Sequence, residues 1–219
     1  SPEHADLGKL DEVRALGARL AAAHPRLDVL LNNAGCYPGA RVMTAGGLEE
    51  AWVTNVLGYE VLITQLRDAV VAARGRIVCT ASTMAGDLDV DDLDWSRRGW
   101  NGIKAYRQSK QANRMLAWAW ARRLEGTGAT INVAHPGGVR TNIAHRQRGL
   151  WGVLNRLAFL TQRSPQRGAD TLVWLATSPE LDGQSAGFYK DRRSIPCQWR
   201  VDVDAQERLW ALCQRQLAA

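Results

Sequence analysis

The residues of this chain with the clearest chemical potential are Tyr106 and Lys110, which stand four positions apart. On a helix this spacing places both side chains on one face, one turn from each other. A free phenol, with a pKa of about 10, is a poor acid-base catalyst at neutral pH, but a neighbouring ammonium stabilises the phenolate and lowers that pKa. The hydroxyl of Ser82 could hold a substrate oxygen against the phenol, and Asn55 lies further upstream. These residue types suit the transfer of a proton to or from an oxygen while a hydride moves at the adjacent carbon.

The pattern of apolar residues predicts the elements that must position these side chains. A tyrosine four positions before a lysine also occurs by chance in many helices, as a half-buried phenol beside a solvated amine. The surrounding elements therefore decide between a chance pair and a catalytic one. The pattern predicts helices over 10–23, 48–73, 104–125, 165–177 and 204–217, and strands over 28–35, 76–82, 129–134 and 187–190.

Strands that alternate with helices of this length predict an α/β fold, a Rossmann-like doubly wound parallel sheet covered on both faces. In such sheets ligands bind beyond the carboxyl ends of the strands. Asn33, Ser82 and the pair Pro136-Gly137 each follow a predicted strand at that end. The sequence therefore predicts a site where these three segments meet.

The length and composition indicate one globular domain over residues 1–219, with 46% hydrophobic and 23% charged residues. No apolar run reaches the length of a membrane span, so none is expected. The 28 basic and 22 acidic residues give a net charge of +6. The arginines are scattered over helical stretches without a basic run interleaved with aromatics, which favours a small phosphate-bearing ligand over nucleic acid.

The four cysteines predict neither a metal site nor a disulfide framework. They are Cys36, Cys79, Cys197 and Cys213, and none has the spacing of a zinc ligand set. The acidic stretch 87–94 departs from a calcium loop because its sixth position is Asp92 and its twelfth is Arg98. Reduced thiols on or beside apolar strands indicate a cytoplasmic location.

Five motifs in a fixed order resemble those of the short-chain dehydrogenase/reductase family. They are Asn32-Asn33-Ala34-Gly35, Asn55, Ser82, Tyr106-x-x-x-Lys110 and His135-Pro136-Gly137-Gly138-Val139-Arg140-Thr141. Finer features are similar to the retinol-dehydrogenase-like and WW-domain-oxidoreductase-like branch, namely Asp91-Asp92-Leu93, Ser109-Lys110-Gln111-Ala112-Asn113 and Arg208-Leu209-Trp210. The resemblance covers essentially the whole chain and implies an oxidoreductase that uses NADP or NAD.

The resemblance also implies the roles of individual residues. Tyr106 would be the general acid/base, Lys110 would lower its pKa and hold the nicotinamide ribose, and Ser82 would orient the substrate oxygen. Asn55 would keep a water in the proton relay. The implied coenzyme contacts are Asp6, Leu7, Asn33, Ala34, Gly35, Tyr106, Lys110, Pro136, Gly137, Val139 and Thr141.

The same resemblance implies the substrate and the assembly. The branch acts on lipophilic alcohols, aldehydes and ketones. The family commonly forms homodimers or homotetramers through helices that correspond to 48–73 and 104–125, so a homodimer or homotetramer is expected.

One family motif is absent from the sequence. No TGxxxGxG or GxGxxG segment precedes Asn32, so the phosphate-binding turn of the family has no counterpart here. We expect the chain to begin at the third strand of the family fold, around His4 to Leu7, without the first two strands. The strand at 28–35 would then lie at an open sheet edge, and dinucleotide affinity would be impaired because the pyrophosphate lacks its helix N-terminus.

Two other interpretations stay open at this point. One is a non-redox relative that uses Tyr106, Lys110 and Ser82 for acid-base chemistry, such as dehydration or cyclisation, without a coenzyme. The other is an inert product or an oligomerisation partner, which the presence of Asn55 and the three residues above argues against.

Overall fold

A five-stranded sheet forms the centre of the computed structural model, which describes residues 2–139 and 162–218. Its strands, in spatial order, are β1 (Val29–Asn32), β2 (Arg76–Thr80), β3 (Thr130–Ala134), β4 (Phe188–Lys190) and β5 (Arg193–Ser194). The first three pairings are parallel and the β4–β5 pairing is antiparallel. The predicted Rossmann-like α/β fold with a parallel sheet is thereby confirmed.

The β4–β5 hairpin was not predicted from the sequence. Its two-residue turn, Asp191 and Arg192, has positive φ angles of 52° and 57°. Two successive positive φ angles are typical of a type I′ turn, which Asn-Gly or Asp-Gly usually signals. An Asp-Arg turn carries no such signal, and β5 has only two residues.

Four helices and one interrupted helical segment accompany the sheet in the described residues. They are α1 (Leu10–Ala23), α2 (Glu50–Trp52), a π-helical turn (Val53–Leu57), α3 (Gly58–Ala73), α4 (Gly102–Arg123), α5 (Pro165–Thr177) and α6 (Val203–Ala218). Short 3₁₀ turns occupy Pro179–Leu181 and Gln198–Arg200. The predicted bounds of α1 and α5 agree with the structure. The single helix predicted over 48–73 is instead interrupted by the π-helical turn.

The two faces of the sheet are covered by different helices. Helices α3 and α4 pack on one face, with α1 against α3 and α6 against α4, while α5 packs on the other face across β1, β2 and β3. Successive strand residues alternate between the two: Ile77 belongs to the core under α3 and α4, and Val78 to the core under α5. Strands buried on both faces explain the continuous apolar runs in the sequence.

The amino-terminal segment differs from the prediction. Residues 4–7 form no strand. Instead the Gly8 N–H donates to Asp6 Oδ1 at 2.9 Å, and the Lys9 N–H donates to the Asp6 carbonyl at 2.9 Å, which makes a turn that leads into α1. A strand needs a neighbour to pair with, and within the described residues β1 pairs with β2 alone and lies at the sheet edge.

In the described part of the chain, no helix combines the length and the apolar character that crossing a membrane requires.

Candidate active site

A cavity of about 730 Å³ lies at the carboxyl ends of β1, β2 and β3. Its walls include ten of the residues proposed from the sequence, which are Asp6, Asn33, Ala34, Gly35, Ser82, Tyr106, Lys110, Pro136, Gly137 and Val139. Its volume is in the range of small-molecule sites. The cavity thus lies at the strand ends where the sequence predicted a site. Of the other proposed residues, Asn55 is fully buried, Leu7 packs against the core, and Thr141 lies outside the described residues.

Helix α4 brings Tyr106 and Lys110 to this cavity. The helix begins after Asn101, whose Oδ1 accepts hydrogen bonds from the N–H groups of Ile103 at 3.0 Å and Lys104 at 3.1 Å. This N-cap fixes where the helix starts. Tyr106 and Lys110 follow on the face that meets β2.

The side chains of Tyr106 and Ser82 both line the cavity. Ser82 follows β2 and is 5% exposed, and its Oγ accepts a hydrogen bond from the Met84 N–H at 3.1 Å. A hydroxyl that accepts from a backbone N–H keeps its own proton for donation, either to the phenol or to a substrate oxygen. Burial raises the pKa of Tyr106 above its ordinary value of 10.0, and the Ser82 hydroxyl opposes that rise.

Lys110 lines the cavity together with Tyr106 and is 2% exposed. Its Nζ donates to the Thr80 carbonyl at 3.1 Å and lies 5.8 Å from the ring centroids of both Tyr106 and Tyr59. Burial lowers the pKa of Lys110 from 10.5 to about 8. The pKa of Tyr106 is therefore not lowered as the sequence predicted, because desolvation dominates and the ammonium is directed at a carbonyl.

Asn55 occupies the π-helical turn, where the Gly58 N–H reaches back five residues to the Val53 carbonyl. Its amide is fully used: Oδ1 accepts from the Cys36 N–H at 2.8 Å, and Nδ2 donates to the Cys36 carbonyl at 2.9 Å and to Ser109 Oγ at 3.0 Å. This side chain therefore braces the segment after β1 against α4. Single π-helical turns occur often at functional sites, and no sequence signal announced this one.

The segment after β1 is held by two residues that the sequence did not single out. Thr80 Oγ1 donates to Asn33 Oδ1 at 3.0 Å, and the Tyr59 hydroxyl donates to the Ala34 carbonyl at 2.8 Å. Next in the chain, a Cβ on Gly35 would lie 2.9 Å from Asn55 Oδ1. Only glycine allows this close approach of the backbone.

The segment after β3 forms another wall of the cavity. Gly137 has a φ of +84°, and a Cβ there would lie 2.9 Å from Arg163 Nε. Val139 forms an isolated parallel bridge with Arg163. His135 Nε2 lies 3.2 Å from Thr83 Oγ1, and burial together with the charge of Lys190 lowers the His135 pKa to about 4. The imidazole is therefore neutral at pH 7.

Two further residues of the cavity wall follow Gly35 directly. The ring of Tyr37 packs on that of Tyr106, with centroids 4.8 Å apart and an angle of 55° between the planes. The Cys36 thiol also lines the cavity, and burial raises its pKa to about 11, which makes it a poor nucleophile. No pattern in the sequence indicated the Tyr37 contact.

The acidic stretch 87–94 is folded around Asp92 rather than arranged as a calcium loop. The buried carboxylate of Asp92 accepts hydrogen bonds from the Arg97 N–H at 2.9 Å and from Ser96 Oγ at 3.2 Å, and it pairs with Arg98 at 3.1 Å. The loop therefore uses this carboxylate internally.

The donors around the cavity fit the nicotinamide half of a dinucleotide. A lysine ammonium has three donors, whereas the buried Lys110 has one hydrogen-bond acceptor among the described residues, the Thr80 carbonyl. Lys110 therefore has donors left for ribose hydroxyls. For the pyrophosphate, by contrast, the sequence contains no glycine motif.

The family model for short chain dehydrogenase matches residues 2–149. The chain belongs to this family. Human retinol dehydrogenase 14 is 35% identical over 218 residues, which are 95% of this chain and 64% of that protein. Mouse polyprenol dehydrogenase is 34% identical over 217 residues, which are 94% and 64% of the respective chains. The retinol-dehydrogenase-like branch inferred from the sequence is thereby confirmed.

A solved structure extends the likeness. A short chain dehydrogenase from Burkholderia cenocepacia J2315 in complex with NADP has a TM-score of 0.60 and 25% identity, over 84% of this chain and 72% of that one. The family is thus one that uses nicotinamide dinucleotides. The chain spans about two thirds of the length of the two curated relatives.

Proposed function

We propose that this chain interconverts an alcohol and a carbonyl on a lipophilic small molecule with NAD or NADP, with Tyr106 as the general acid/base. The observation that carries the proposal is that Tyr106, Ser82 and the buried Lys110 line one cavity. Family membership supports the same reaction class.

The residues divide the work as follows. The coenzyme, when bound, supplies or accepts the hydride. Tyr106 and Ser82 hold the substrate oxygen between two hydroxyls, and the phenol gives its proton to that oxygen in reduction and takes it back in oxidation. The Ser82 donor stabilises negative charge that develops on the oxygen. Lys110 Nζ lies 5.8 Å from the ring centroid of Tyr106, and its pKa of about 8 makes it able to pass a proton.

Several apolar residues of the cavity wall support the substrate class. They are Leu31, Pro165, Ala169, Leu172 and Val173. The two curated relatives are named for retinol and for polyprenol, which are both isoprenoid alcohols. An alcohol, aldehyde or ketone with a hydrocarbon body suits this wall.

We also propose that the chain forms a homodimer or homotetramer. Light scattering coupled to size-exclusion chromatography would measure the mass of the assembly.

A second candidate function is acid-base chemistry without a coenzyme. The grouping of Tyr106, Ser82 and Lys110 in one cavity supports it, because these three residues require no dinucleotide for proton transfer.

Deuterium transfer separates the two. The chain is incubated with a lipophilic aldehyde, such as retinal, and NADH or NADPH deuterated at the transferred position. Deuterium on the carbinol carbon of the product supports the oxidoreductase. Conversion of the substrate without deuterium supports the second candidate and contradicts the first. Tyr106→Phe is expected to lower turnover roughly 10²- to 10⁴-fold, whereas Tyr189→Phe, on β4 beside Trp174, is the matched control.

A further inference from the structure

Three side chains of α4 donate hydrogen bonds to the backbone carbonyls at the end of β2. Lys110 Nζ and Asn113 Nδ2 reach the Thr80 carbonyl, at 3.1 Å and 3.5 Å, and Arg114 Nη2 donates to the Ser82 carbonyl. Between them, the Ala81 N–H continues the ladder to β3 by donating to the Ala134 carbonyl at 2.8 Å. The helix that carries Tyr106 is therefore fastened to the segment that carries Ser82.

Arg114 is an unusual residue for its surroundings. It is 5% exposed, and among the described residues it forms no ion pair with a carboxylate. Its guanidinium lies 4.0 Å from the ring centroid of Phe188 and 5.3 Å from that of Trp199, and Nη1 donates to Cys197 Sγ at 3.6 Å. Its oxygen acceptor is the Ser82 carbonyl.

Burial of a guanidinium without a carboxylate costs stability, and an apolar residue of similar volume often serves a protein better at such a place. Burial accordingly lowers the Arg114 pKa. Core packing therefore does not account for this side chain, and its contact with Ser82 does.

We propose that Arg114 is a positioning residue for the reaction, and that its grip on the Ser82 carbonyl holds the Ser82 hydroxyl within hydrogen-bond reach of Tyr106. Arg114 and Tyr106 lie on one helix, eight residues or about 12 Å apart along its axis. Arg114 holds the backbone carbonyl of Ser82, whose side chain lines the same cavity as Tyr106. The proposal rests on the proposed function of Tyr106 and Ser82.

The test compares Arg114→Met, Arg114→Lys and Arg123→Met. Arg123 is the matched control because it lies on α4 as well but stacks on Trp210 at 3.6 Å and pairs with Glu207. The first readout needs neither coenzyme nor substrate: it is the ¹³C chemical shift of the Ser82 carbonyl. We expect Arg114→Met to move this resonance and Arg123→Met to leave it in place.

The second readout is steady-state kinetics with retinal and NADH or NADPH. We expect Arg114→Met to lower kcat roughly 10- to 100-fold through misplacement of Ser82. The KM for the coenzyme should hold, because Lys110 keeps its bond to Thr80. Arg114→Lys should recover part of kcat. The midpoint of unfolding of Arg114→Met should equal or exceed that of the parent chain, whereas a purely structural role would lower it.

The outcomes separate the proposal from the function beneath it. An unmoved Ser82 carbonyl resonance in Arg114→Met overturns the proposal whatever the activity. A moved resonance with full kcat, while Tyr106→Phe abolishes turnover, overturns the positioning role and leaves the proposed function standing. Turnover that survives Tyr106→Phe overturns both.

Discussion

The rings of Tyr37 and Tyr106 pack against each other at a centroid separation of 4.8 Å, tilted by 55°. Tyr37 belongs to the segment after β1 and Tyr106 to α4, so the contact joins two elements that are far apart in the chain. Both rings line the cavity. Tyr37 therefore restricts how the Tyr106 ring can turn and forms an aromatic wall beside its hydroxyl.

We expect Tyr37→Leu to lower kcat/KM for retinal because the ring contact is lost. Such aromatic pairs contribute about 0.5–1.5 kcal/mol, which is roughly a two- to tenfold change. Tyr37→Phe keeps the ring and should resemble the parent chain. Steady-state kinetics on both variants checks this, and equal losses in Leu and Phe variants would instead assign the effect to the Tyr37 hydroxyl.

Lys110 should make stability increase with pH on the alkaline side. Burial lowers its pKa from 10.5 to about 8. Below pH 8 the folded chain carries a buried ammonium and the cost is complete. Between about 8 and 10.5 the folded lysine has released its proton while the unfolded one still holds it, so stability rises with pH, by at most about 3 kcal/mol.

Urea unfolding of Lys110→Met at pH 7 and pH 10 measures this contribution. The variant should lose the rise that the parent chain shows, and Lys104→Met, at an exposed position of α4, should keep it. A parent chain whose stability falls by the same amount as that of Lys110→Met over this interval would contradict the assignment.

Glu60 should act in the opposite direction. It is 2% exposed, its two oxygens accept from Trp120 Nε1 at 3.1 Å and 2.9 Å, and burial raises its pKa from 4.5 to about 7, with Trp120 and Arg123 opposing. The folded carboxyl holds its proton where the unfolded one has lost it. The contribution is therefore present below pH 4.5 and is lost as the pH rises through about 7.

Glu60→Gln should remove the decline in stability with rising pH. Between pH 4.5 and pH 8 the variant should therefore gain stability relative to the parent chain, by no more than about 3 kcal/mol. Denaturant unfolding across this range is the measurement, and Glu125→Gln at an exposed position after α4 is the control. Parallel pH profiles for parent and Glu60→Gln would refute the prediction.

The dinucleotide should bind the isolated chain weakly. The sequence holds no glycine motif that would present backbone N–H groups at a helix N-terminus to the pyrophosphate. We expect calorimetric titration to give Kd values for NADH and NADPH that lie above the micromolar range. Reduced nicotinamide mononucleotide, which lacks the adenylate half, should bind within a few-fold of NADH. Micromolar NADH binding would show that other residues replace the missing motif.

The features that the sequence determined are local in the chain. The apolar periodicity of α1 and α5 gave their bounds, because burial of one helix face selects residues three and four apart. The apolar runs of β2 and β3 predicted buried parallel strands. The order of strands and helices along the chain also predicted that the residues after each strand lie at one site, since parallel strands bring their carboxyl ends to one edge.

The tertiary structure alone decided the features that depend on contacts between distant segments. Three contacts join residues that are 19 to 69 positions apart. They are the hydrogen bond of Asn55, on the π-helical turn, with Cys36, the hydrogen bond of Arg114 with Ser82, and the packing of Tyr37 on Tyr106. The direction of the Tyr106 pKa shift belongs here as well. Spacing predicted that Lys110 would lower it, but burial, which depends on every element packed around the ring, raises it. Desolvation and long-range hydrogen bonds are properties of the assembled fold, and no local pattern encodes them.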